Sequence, residues 1–192
     1  MIFISDNGIN ILREATQWSL DGTFLLAPPP FMQLYIVSGL VGHNNLPAAY
    51  VYLPNKDADT YRIMMELIIG LVQKTPDTCT LDFEAAMIGT IQNLEVEINL
   101  CYFHLKQSLL RQMKVRRIFQ TFNKSSSFQE AVRDFLSLAF LKPDDAVDAT
   151  QSYVLPQFQF VVQGAEIEDV ERAKVDTFFN YIHVSMIYLK TL

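Results

Sequence analysis

The sequence predicts a mixed α/β fold, and three observations support that prediction. Half of the 192 residues are hydrophobic and only 19% are charged, a composition that favours a globular chain with a large core over a disordered one. Segments with β-type alternation come first, and segments with helical spacing of apolar residues follow. Strand-like and helix-like segments then alternate, which is typical of an α/β sheet.

Three strands are predicted near the start of the chain. Residues 16–24 and 31–41 are rich in β-forming residues and are separated by Ala27-Pro28-Pro29-Pro30, which excludes a helix between them. We therefore expect these two segments to form a hairpin. Residues 46–53 are expected to form a third strand, which Pro54 ends.

Helices and strands are predicted to alternate after the third strand. Asp57 and Asp59 are candidate caps for a helix that runs to about Lys74, because apolar residues recur at helical spacing in this segment. The elements expected next are a strand over residues 78–82, a helix over residues 84–94 and a fifth strand over residues 96–100.

The order of these elements brings two aspartates together. A right-handed crossover makes the fourth strand, which ends at Asp82, parallel to the first strand, which carries Asp21. The two strands would then be neighbours, with their carboxylates at the same end. Three consecutive strands, a helix, a strand, a helix and a fifth strand form the order of a ribonuclease-H-like fold, so we expect a mixed five-stranded sheet.

After the fifth strand every segment is predicted to be helical. His104 is expected to open a basic amphipathic helix, and a capping box over residues 127–130 is expected to open another helix. The last helix is expected over about residues 170–189, with one apolar side. We therefore expect a core over residues 1–124 and an all-helical insertion over residues 125–192.

Basic residues are concentrated in one part of the chain. The net charge of −6 argues against a nucleic-acid binder, but six of the fifteen Lys and Arg residues lie between residues 101 and 124, where there is no Asp or Glu. Those expected to contact phosphate groups are Lys106, Arg111, Lys114 and Arg117. The last three recur at intervals of three and would share one helix face, while Met113 and Ile118 pack inward. A solvated helix face explains the same pattern without a ligand.

Asp21 and Asp82 are the candidate metal ligands and catalytic carboxylates. Magnesium and manganese prefer oxygen ligands, and two-metal phosphoryl transfer needs carboxylates that hold the ions about 4 Å apart. Each residue also has a simpler explanation, since Asp21 could begin a turn with Gly22 and Asp82 could cap the helix expected at Glu84. Their joint placement in the expected fold favours the metal site. Glu84 could support that site or could be a first-turn residue favoured by the helix dipole.

Cysteine and histidine predict neither a disulfide scaffold nor a closed zinc site. Cys79 and Cys101 are the two cysteines, which indicates a reducing intracellular compartment. Cys101 and His104 have the spacing of zinc ligands, but a structural zinc ion needs four ligands, and few other candidates remain. His104 could instead orient a phosphate or a carboxylate, or cap its helix. Neither a signal peptide nor a membrane span is predicted.

An ordered set of short motifs resembles the catalytic domain of Mutator-like element (MULE) transposases, especially the animal type. The motifs are Asp21-Gly22-Thr23-Phe24, Pro30-Phe31-x-Gln33-Leu34-Tyr35, residues 47–53 with Lys56 and Tyr61, Asp82-Phe83-Glu84-Ala85, and Cys101-Tyr102-Phe103-His104-Leu105-x-Gln107. The resemblance is close over residues 18–111 and fainter through Tyr181.

That resemblance implies a ribonuclease-H-like transposase core in which Asp21 and Asp82 are the first two acidic residues of a DDE triad. Cys101 and His104 fall on the family's Cys-x-x-His signature. The implied ancestral reaction is metal-dependent DNA cleavage and strand transfer, with Mg²⁺ or Mn²⁺ as cofactor, DNA as partner and the nucleus as location.

The third acidic residue of the family follows the helical insertion, and no segment before Leu192 matches it. We therefore expect a chain truncated before that residue, with little or no activity; whether it forms a homo-oligomer is left open. The alternative is a domesticated, non-enzymatic module that binds DNA or another protein. A stand-alone nuclease would need a third acidic residue such as Glu171, but Glu166, Glu168, Glu171 and Asp176 all lie in the presumed insertion.

Overall fold

The computed structural model describes residues 1–23, 26–164 and 166–190, without the side chains of Pro143 and of residues 183–190. The chain divides into two compact units, which we call the sheet unit (Met1–Cys101) and the helical unit (Tyr102–Leu192). The basic helix begins the helical unit, whereas the core predicted from the sequence extends to residue 124.

Six strands of the described chain form one mixed sheet in the order β1-β4-β3-β2-β5-β6. They are β1 (Ile2–Ile4), β2 (Gln17–Thr23), β3 (Gln33–Val41), β4 (Asn44–Leu53), β5 (Thr78–Leu81) and β6 (Glu97–Leu100). Strands β2, β3 and β4 are antiparallel neighbours, whereas β5 runs parallel to β2 and β6 runs parallel to β5. The predicted hairpin and the parallel pairing of the strands of Asp21 and Asp82 are therefore confirmed.

The prediction of five strands is wrong, because β1 adds a sixth. This strand pairs antiparallel with β4, with Ile2 opposite Val51 and Ile4 opposite Ala49. Ile2 and Ile4 pack against the hydrophobic core, while Phe3 between them is exposed. A strand of three residues that pairs with a distant segment has too little alternation to be recognised from its own sequence.

Three described helices complete the sheet unit: α1 (Asp6–Glu14), α2 (Ala58–Val72) and α3 (Ala85–Gln92). The predicted cap of α2 is confirmed, since Asp57 Oδ1 accepts a hydrogen bond of 2.8 Å from the Thr60 N–H. Helix α1 was not predicted. It supports the core, because the buried indole N–H of Trp18 donates to the Leu12 carbonyl at 3.0 Å.

The helical unit follows without a described strand. Its α-helices are α4 (Tyr102–Val115), α5 (Phe119–Lys124), α6 (Ser126–Ser137), α7 (Pro143–Ala149), α8 (Leu155–Gln163) and α9 (Asp169–Lys190). A 3-10 turn over Leu138–Phe140 follows α6, and a π-helical turn over Thr150–Val154 joins α7 to α8. The predicted capping box at residues 127–130 is wrong in its position. The N-cap of α6 is Ser125, whose hydroxyl accepts a hydrogen bond of 3.1 Å from the Phe128 N–H.

Aromatic side chains form the core of the helical unit. Phe158 and Phe179 stack with 4.0 Å between ring centroids, and Phe128 meets Phe178 and Phe179 edge-on. Ile182 is also buried, so the predicted apolar side of the last helix is confirmed as far as the side chains are described. The expected contributions of Met186 and Ile187 lie outside the described side chains. Within the described helices, none combines enough length with enough hydropathy to cross a bilayer.

Candidate metal site and basic helix

Asp21 lies on β2, and Asp82 directly follows β5, the parallel neighbour of β2. The register of β2 and β5 pairs Ser19 with Thr80. Continued at the same offset, that register brings Asp82, the first residue after β5, beside Asp21. The paired residues end at Ser19 and Thr80, two positions before the aspartates, so the closeness of the two carboxylates is an expectation from this offset.

Asp21 lies inside a strand rather than in a turn. It pairs with Ile36 of β3, and β2 continues to Thr23, so the explanation of Asp21 as the start of a turn with Gly22 is wrong. Because side chains alternate along a strand and Leu20 is buried, Asp21 projects from the opposite face of β2, where it is exposed.

Asp82 has a structural role beside any role in metal binding. Its Oδ1 accepts a hydrogen bond of 3.1 Å from the Glu84 N–H. Glu84 is the N-cap residue of α3, which begins at Ala85, so Glu84 does not belong to the first helical turn. Asp82 therefore orders the turn that leads into α3, but it is not the N-cap residue, so the explanation of Asp82 as the cap of this helix is wrong.

A hydrogen-bond network through two buried side chains holds Glu84 in place. The Tyr61 hydroxyl on α2 donates to Glu84 Oε2 at 2.7 Å, and Gln33 Nε2 on β3 donates to the same hydroxyl at 2.8 Å. Gln33 Nε2 also donates to the Asn55 carbonyl at 3.3 Å. Gln33 and Tyr61 are both fully buried. The network therefore ties β3, α2 and the start of α3 together immediately beside Asp82.

The phenols in this region report on the nearby carboxylates. Burial first, and then the negative charge of Asp82, raise the pKa of Tyr35 well above its usual value, with smaller contributions from Glu84 and Asp21. Burial also raises the pKa of Tyr61, although its hydrogen bond from Gln33 acts in the opposite direction. Both phenols therefore stay protonated at neutral pH.

Gly22 allows the chain to pass close to these side chains. A Cβ at this position would lie 2.9 Å from Gln33 Oε1 and 3.0 Å from the Tyr35 ring. Any larger residue would therefore displace them. No described residue donates a hydrogen bond to Gln33 Oε1, although this atom is buried. Gln33 is the residue of this network that the sequence could have revealed, since it is a large polar residue at the start of a mainly apolar strand.

The described residues contain no group of three or more His, Cys, Asp or Glu side chains close enough to hold a metal ion together. Asp21 and Asp82 do supply carboxylate oxygens, the ligands that Mg²⁺ prefers. Mg²⁺ usually keeps several waters and is bound by one or two carboxylates. These residues therefore fit one weakly held divalent cation rather than a preformed site for two.

Helix α4 is amphipathic, as predicted. Lys106, Arg111 and Lys114 are exposed, whereas Leu109 and Met113 are buried in the helical unit. The ammonium group of Lys114 lies 5.4 Å from the centre of the Phe119 ring, a cation–π contact that orients it.

Arg117 does not share a helix face with Arg111 and Lys114, so that prediction is wrong. Helix α4 ends at Val115, and Arg117 has a φ of 58°, in the left-handed region. Its N–H donates to the Lys114 carbonyl, and the N–H of Ile118 donates to the Met113 carbonyl, both at 3.0 Å. This is the Schellman pattern, in which a left-handed residue terminates the helix.

Cys101 and His104 lie at the junction in the chain where the helical unit begins. The Cys101 N–H donates to the Leu81 carbonyl at 2.8 Å and extends the pairing of β6 with β5. Helix α4 begins at Tyr102, so His104 lies in its first turn but does not open it. Cys79 is buried in the sheet unit, and burial raises the pKa of its thiol to about 12, which makes it inert at neutral pH.

Two of the acidic residues in the helical unit have structural partners. Glu166 accepts hydrogen bonds from the Ser125 hydroxyl at 2.7 Å and from the Ser127 N–H at 3.2 Å. Glu171 accepts a hydrogen bond from the Thr121 hydroxyl. Both carboxylates therefore have hydrogen-bond donors within the helical unit.

Comparison of the chain with protein-family models, with curated proteins and with solved structures finds no significant match.

Proposed function

We propose that the sheet unit is a ribonuclease-H-like core, similar to that of MULE transposases, that binds a divalent cation through Asp21 and Asp82. The observation that supports this proposal is the parallel register of β2 and β5, which, continued for two residues, sets Asp21 opposite Asp82. Neighbouring carboxylates at one edge of an α/β sheet suit phosphoryl transfer, which depends on charge stabilisation and positioning.

The strand order supports the assignment of the sheet unit as a ribonuclease-H-like core. Without β1, the order is β4-β3-β2-β5-β6, with three antiparallel strands followed by two that run parallel to β2. This is the order expected from the sequence for a ribonuclease-H-like sheet. Strand β1 extends the β4 edge and leaves the neighbours of β2 unchanged.

The residues around the aspartates suit a positioning role. Bound Mg²⁺ or Mn²⁺ would supply positive charge for the in-line displacement of a phosphodiester. Asp21 and Asp82 would hold the ion, while Tyr61 and Gln33 keep the Asp82 turn in place through Glu84. Two carboxylates give a weak second ion position, so we propose an ancestral nuclease and strand-transfer activity that is low or lost in this chain.

DNA is the proposed partner, and the nucleus is the corresponding location. Lys106, Arg111 and Lys114 give one exposed side of α4 a positive charge, which would contact phosphate groups. Arg117 would contribute from the turn after the helix rather than from the same face.

A non-enzymatic module that binds DNA or another protein is the second candidate function. The hydrogen bond from the Glu84 N–H to Asp82 favours it, because a role in ordering the turn before α3 explains Asp82 without any metal ion. In that case Asp82 shapes α3, and the basic side of α4 is the functional surface.

Calorimetric titration with Mn²⁺ and with Mg²⁺ separates the two candidates. We expect the wild-type chain to bind one ion weakly, and we expect Asp21→Asn and Asp82→Asn each to abolish the heat of binding, because the site then loses half of its charged ligands.

Asp77→Asn is the matched control, since Asp77 is an exposed aspartate at the other end of β5. It should bind the ion like the wild type. If the wild-type chain gives no heat of binding with either ion, the metal-site proposal is wrong and the non-enzymatic module is favoured.

A further inference from the structure

Three aromatic side chains are exposed at the N-terminal end of α4. Tyr102 is 39% exposed and Phe103 is 60% exposed. The ring of Phe140, which is 75% exposed, lies against Tyr102 with 5.0 Å between the ring centroids. All three residues belong to the helical unit. Single exposed apolar residues are common, but rings gathered at one place form a patch of the kind that contacts a partner.

Phe103 lies on the same side of α4 as the cations of this helix. Lys114 follows Phe103 by eleven positions (114 minus 103), which is about three turns, so the two side chains leave the helix in nearly the same direction. Arg111 and Lys106 leave it about 80° and about 60° to either side of Phe103. From Phe103 to Lys114 the helix rises about 16 Å, the length of about five nucleotides of a stacked strand.

The cations of α4 are not paired with carboxylates. Arg62 and Arg172, on other helices, each form ion pairs with carboxylates three or four residues away. No Lys or Arg of α4 has such a partner among the described residues. The sequence from residue 98 to residue 129 also contains no Asp or Glu. This side of α4 therefore keeps its positive charge and is complementary to a polyanion.

Carboxylates on other helices of this unit have partners of their own. Asp134 and Glu130 of α6 lie near the Tyr153 hydroxyl and, Asp134 first, raise its pKa. Glu171 of α9 accepts a hydrogen bond from the Thr121 hydroxyl.

Acidic residues limit the positive surface near Phe140. Lys142 is followed by Asp144 and Asp145, which are exposed in the first turn of α7 and offset its charge. Lys142 therefore adds little to the surface, which extends from Phe103 towards Lys114 at the other end of α4.

We infer that this side of α4 binds unpaired DNA, with bases stacked on the exposed rings and phosphates held by the cations. The inference rests on the proposed DNA-binding function and names the form of DNA. In a duplex the faces of the bases are covered by their neighbours, so exposed rings gain little from it, whereas an unpaired strand offers a free face on each base. The surface consists of Tyr102, Phe103, Lys106, Arg111, Lys114 and Phe140.

Fluorescence anisotropy with three labelled ligands tests the inference on the full chain. The ligands are an oligo(dT) of about twelve nucleotides, an abasic strand of the same length and a duplex of the same length. The abasic strand keeps the phosphates and lacks the bases. We expect the wild type to bind oligo(dT) at least about fivefold more tightly than the abasic strand, because each stacked base adds to the affinity.

Phe103→Ala should weaken the binding of oligo(dT) at least about fivefold and leave the other two ligands unchanged within about twofold. Phe103→Tyr, which keeps a ring, should bind all three ligands like the wild type. Phe160→Ala is the matched control, since Phe160 is 65% exposed on α8 of the same unit and lies outside the surface. It should also bind like the wild type. Circular dichroism of each variant establishes that it is folded.

Lys114→Gln separates this inference from the proposed DNA contact. It should weaken all three ligands and reduce the slope of log affinity against log salt by about 0.7 for oligo(dT). If Lys114→Gln does so while Phe103→Ala changes nothing, α4 contacts DNA through phosphates alone and the inference is wrong. Equal affinity of the wild type for oligo(dT) and for the abasic strand overturns it as well. If no ligand binds, the proposed DNA partner falls with it, while calorimetry with Mn²⁺ still tests the metal site separately.

Discussion

Glu166 fixes the start of α6 to a distant part of the helical unit. Its carboxylate accepts from the Ser125 hydroxyl, from the Ser127 N–H and hydroxyl, and from the Ser126 hydroxyl. These hydrogen bonds, that of Ser125 first, lower the pKa of Glu166 from its usual value. A carboxylate at a helix N-terminus also interacts favourably with the helix dipole.

Because the pKa of Glu166 is lower in the folded chain, the folded state favours the ionised carboxylate. Its contribution to stability is fully present above the unfolded pKa, about 4.3, and is lost as the pH falls through the lowered folded pKa. We expect Glu166→Gln to be less stable than the wild type at pH 7 and to lose less stability between pH 6 and pH 3. Urea unfolding followed by circular dichroism at each pH measures both effects.

Glu168→Gln is the control for that experiment, since Glu168 is an exposed glutamate two positions along the chain. It should match the wild type at pH 7. If Glu166→Gln and the wild type lose the same amount of stability on acidification, the hydrogen bonds of Glu166 do not contribute in solution.

The Tyr61 hydroxyl links the buried amide of Gln33 to the half-buried carboxylate of Glu84, so its removal should be costly. Tyr61→Phe leaves both Glu84 Oε2 and Gln33 Nε2 without this partner. A buried polar group that loses its partner costs about 1–3 kcal/mol, so we expect the free energy of unfolding of the sheet unit to fall by about that amount. Tyr50→Phe, at a tyrosine that is 42% exposed, should change it by less than about 0.5 kcal/mol. Equal effects of the two variants in urea unfolding would contradict the network.

At the scale of elements, the end of α4 offers a test that separates charge from backbone strain. Arg117 occupies a left-handed position that glycine adopts without a steric penalty. Arg117→Gly should therefore stabilise the helical unit by up to about 1 kcal/mol, whereas Arg117→Ala should not. Both variants remove the same positive charge. If Arg117 contacts a phosphate, both should weaken DNA binding equally and reduce the slope of log affinity against log salt by roughly 1.

Lys142→Ala is the charge control for this pair, because Lys142 is exposed in the same unit but lies outside α4. It should leave the salt slope unchanged. A loss of affinity in Arg117→Ala alone would mean that the backbone conformation, and not the charge, matters for DNA binding.

Elements with a strong periodic pattern were predictable from the sequence, and elements that depend on distant pairing were not. Helix α2 and strands β2 to β6 carry apolar spacing or alternation over their own length, so their existence was predictable and their ends were correct within a few residues. Strand β1 has three residues, and its partner is distant in the chain. Its pairing is decided by tertiary packing, which no local pattern encodes.

The candidate site was predictable in part for the same reason. The strand order was sufficient to bring Asp21 and Asp82 to neighbouring strands. The roles of Gln33 and Tyr61 depend on side-chain directions across three elements, and spacing along one element does not determine these. The turn at Arg117 was missed because an arginine at helical spacing favours continuation of the helix, whereas a left-handed end is usually marked by glycine.

The described side chains form two hydrophobic cores that share no residue. One is built around Trp18, Tyr61 and Ile68 in the sheet unit, and the other around Phe128 and Phe158 in the helical unit. Because each unit has its own core, each can in principle unfold by itself. Trp18 is the single tryptophan of the chain, so its fluorescence reports on the sheet unit, whereas circular dichroism reports on the helices of both units.

Phe158→Ala should therefore shift the unfolding transition of the helical unit and leave that of the sheet unit unchanged. The substitution removes the ring that stacks on Phe179 and should cost the helical unit about 3–5 kcal/mol. In urea, we expect the circular dichroism signal to acquire an earlier transition while the midpoint of Trp18 fluorescence stays the same. Ile68→Ala, which opens a cavity in the other core, should lower the fluorescence midpoint instead. If both probes shift together in Phe158→Ala, the two units unfold as one, and the separation of their cores does not extend to their stability.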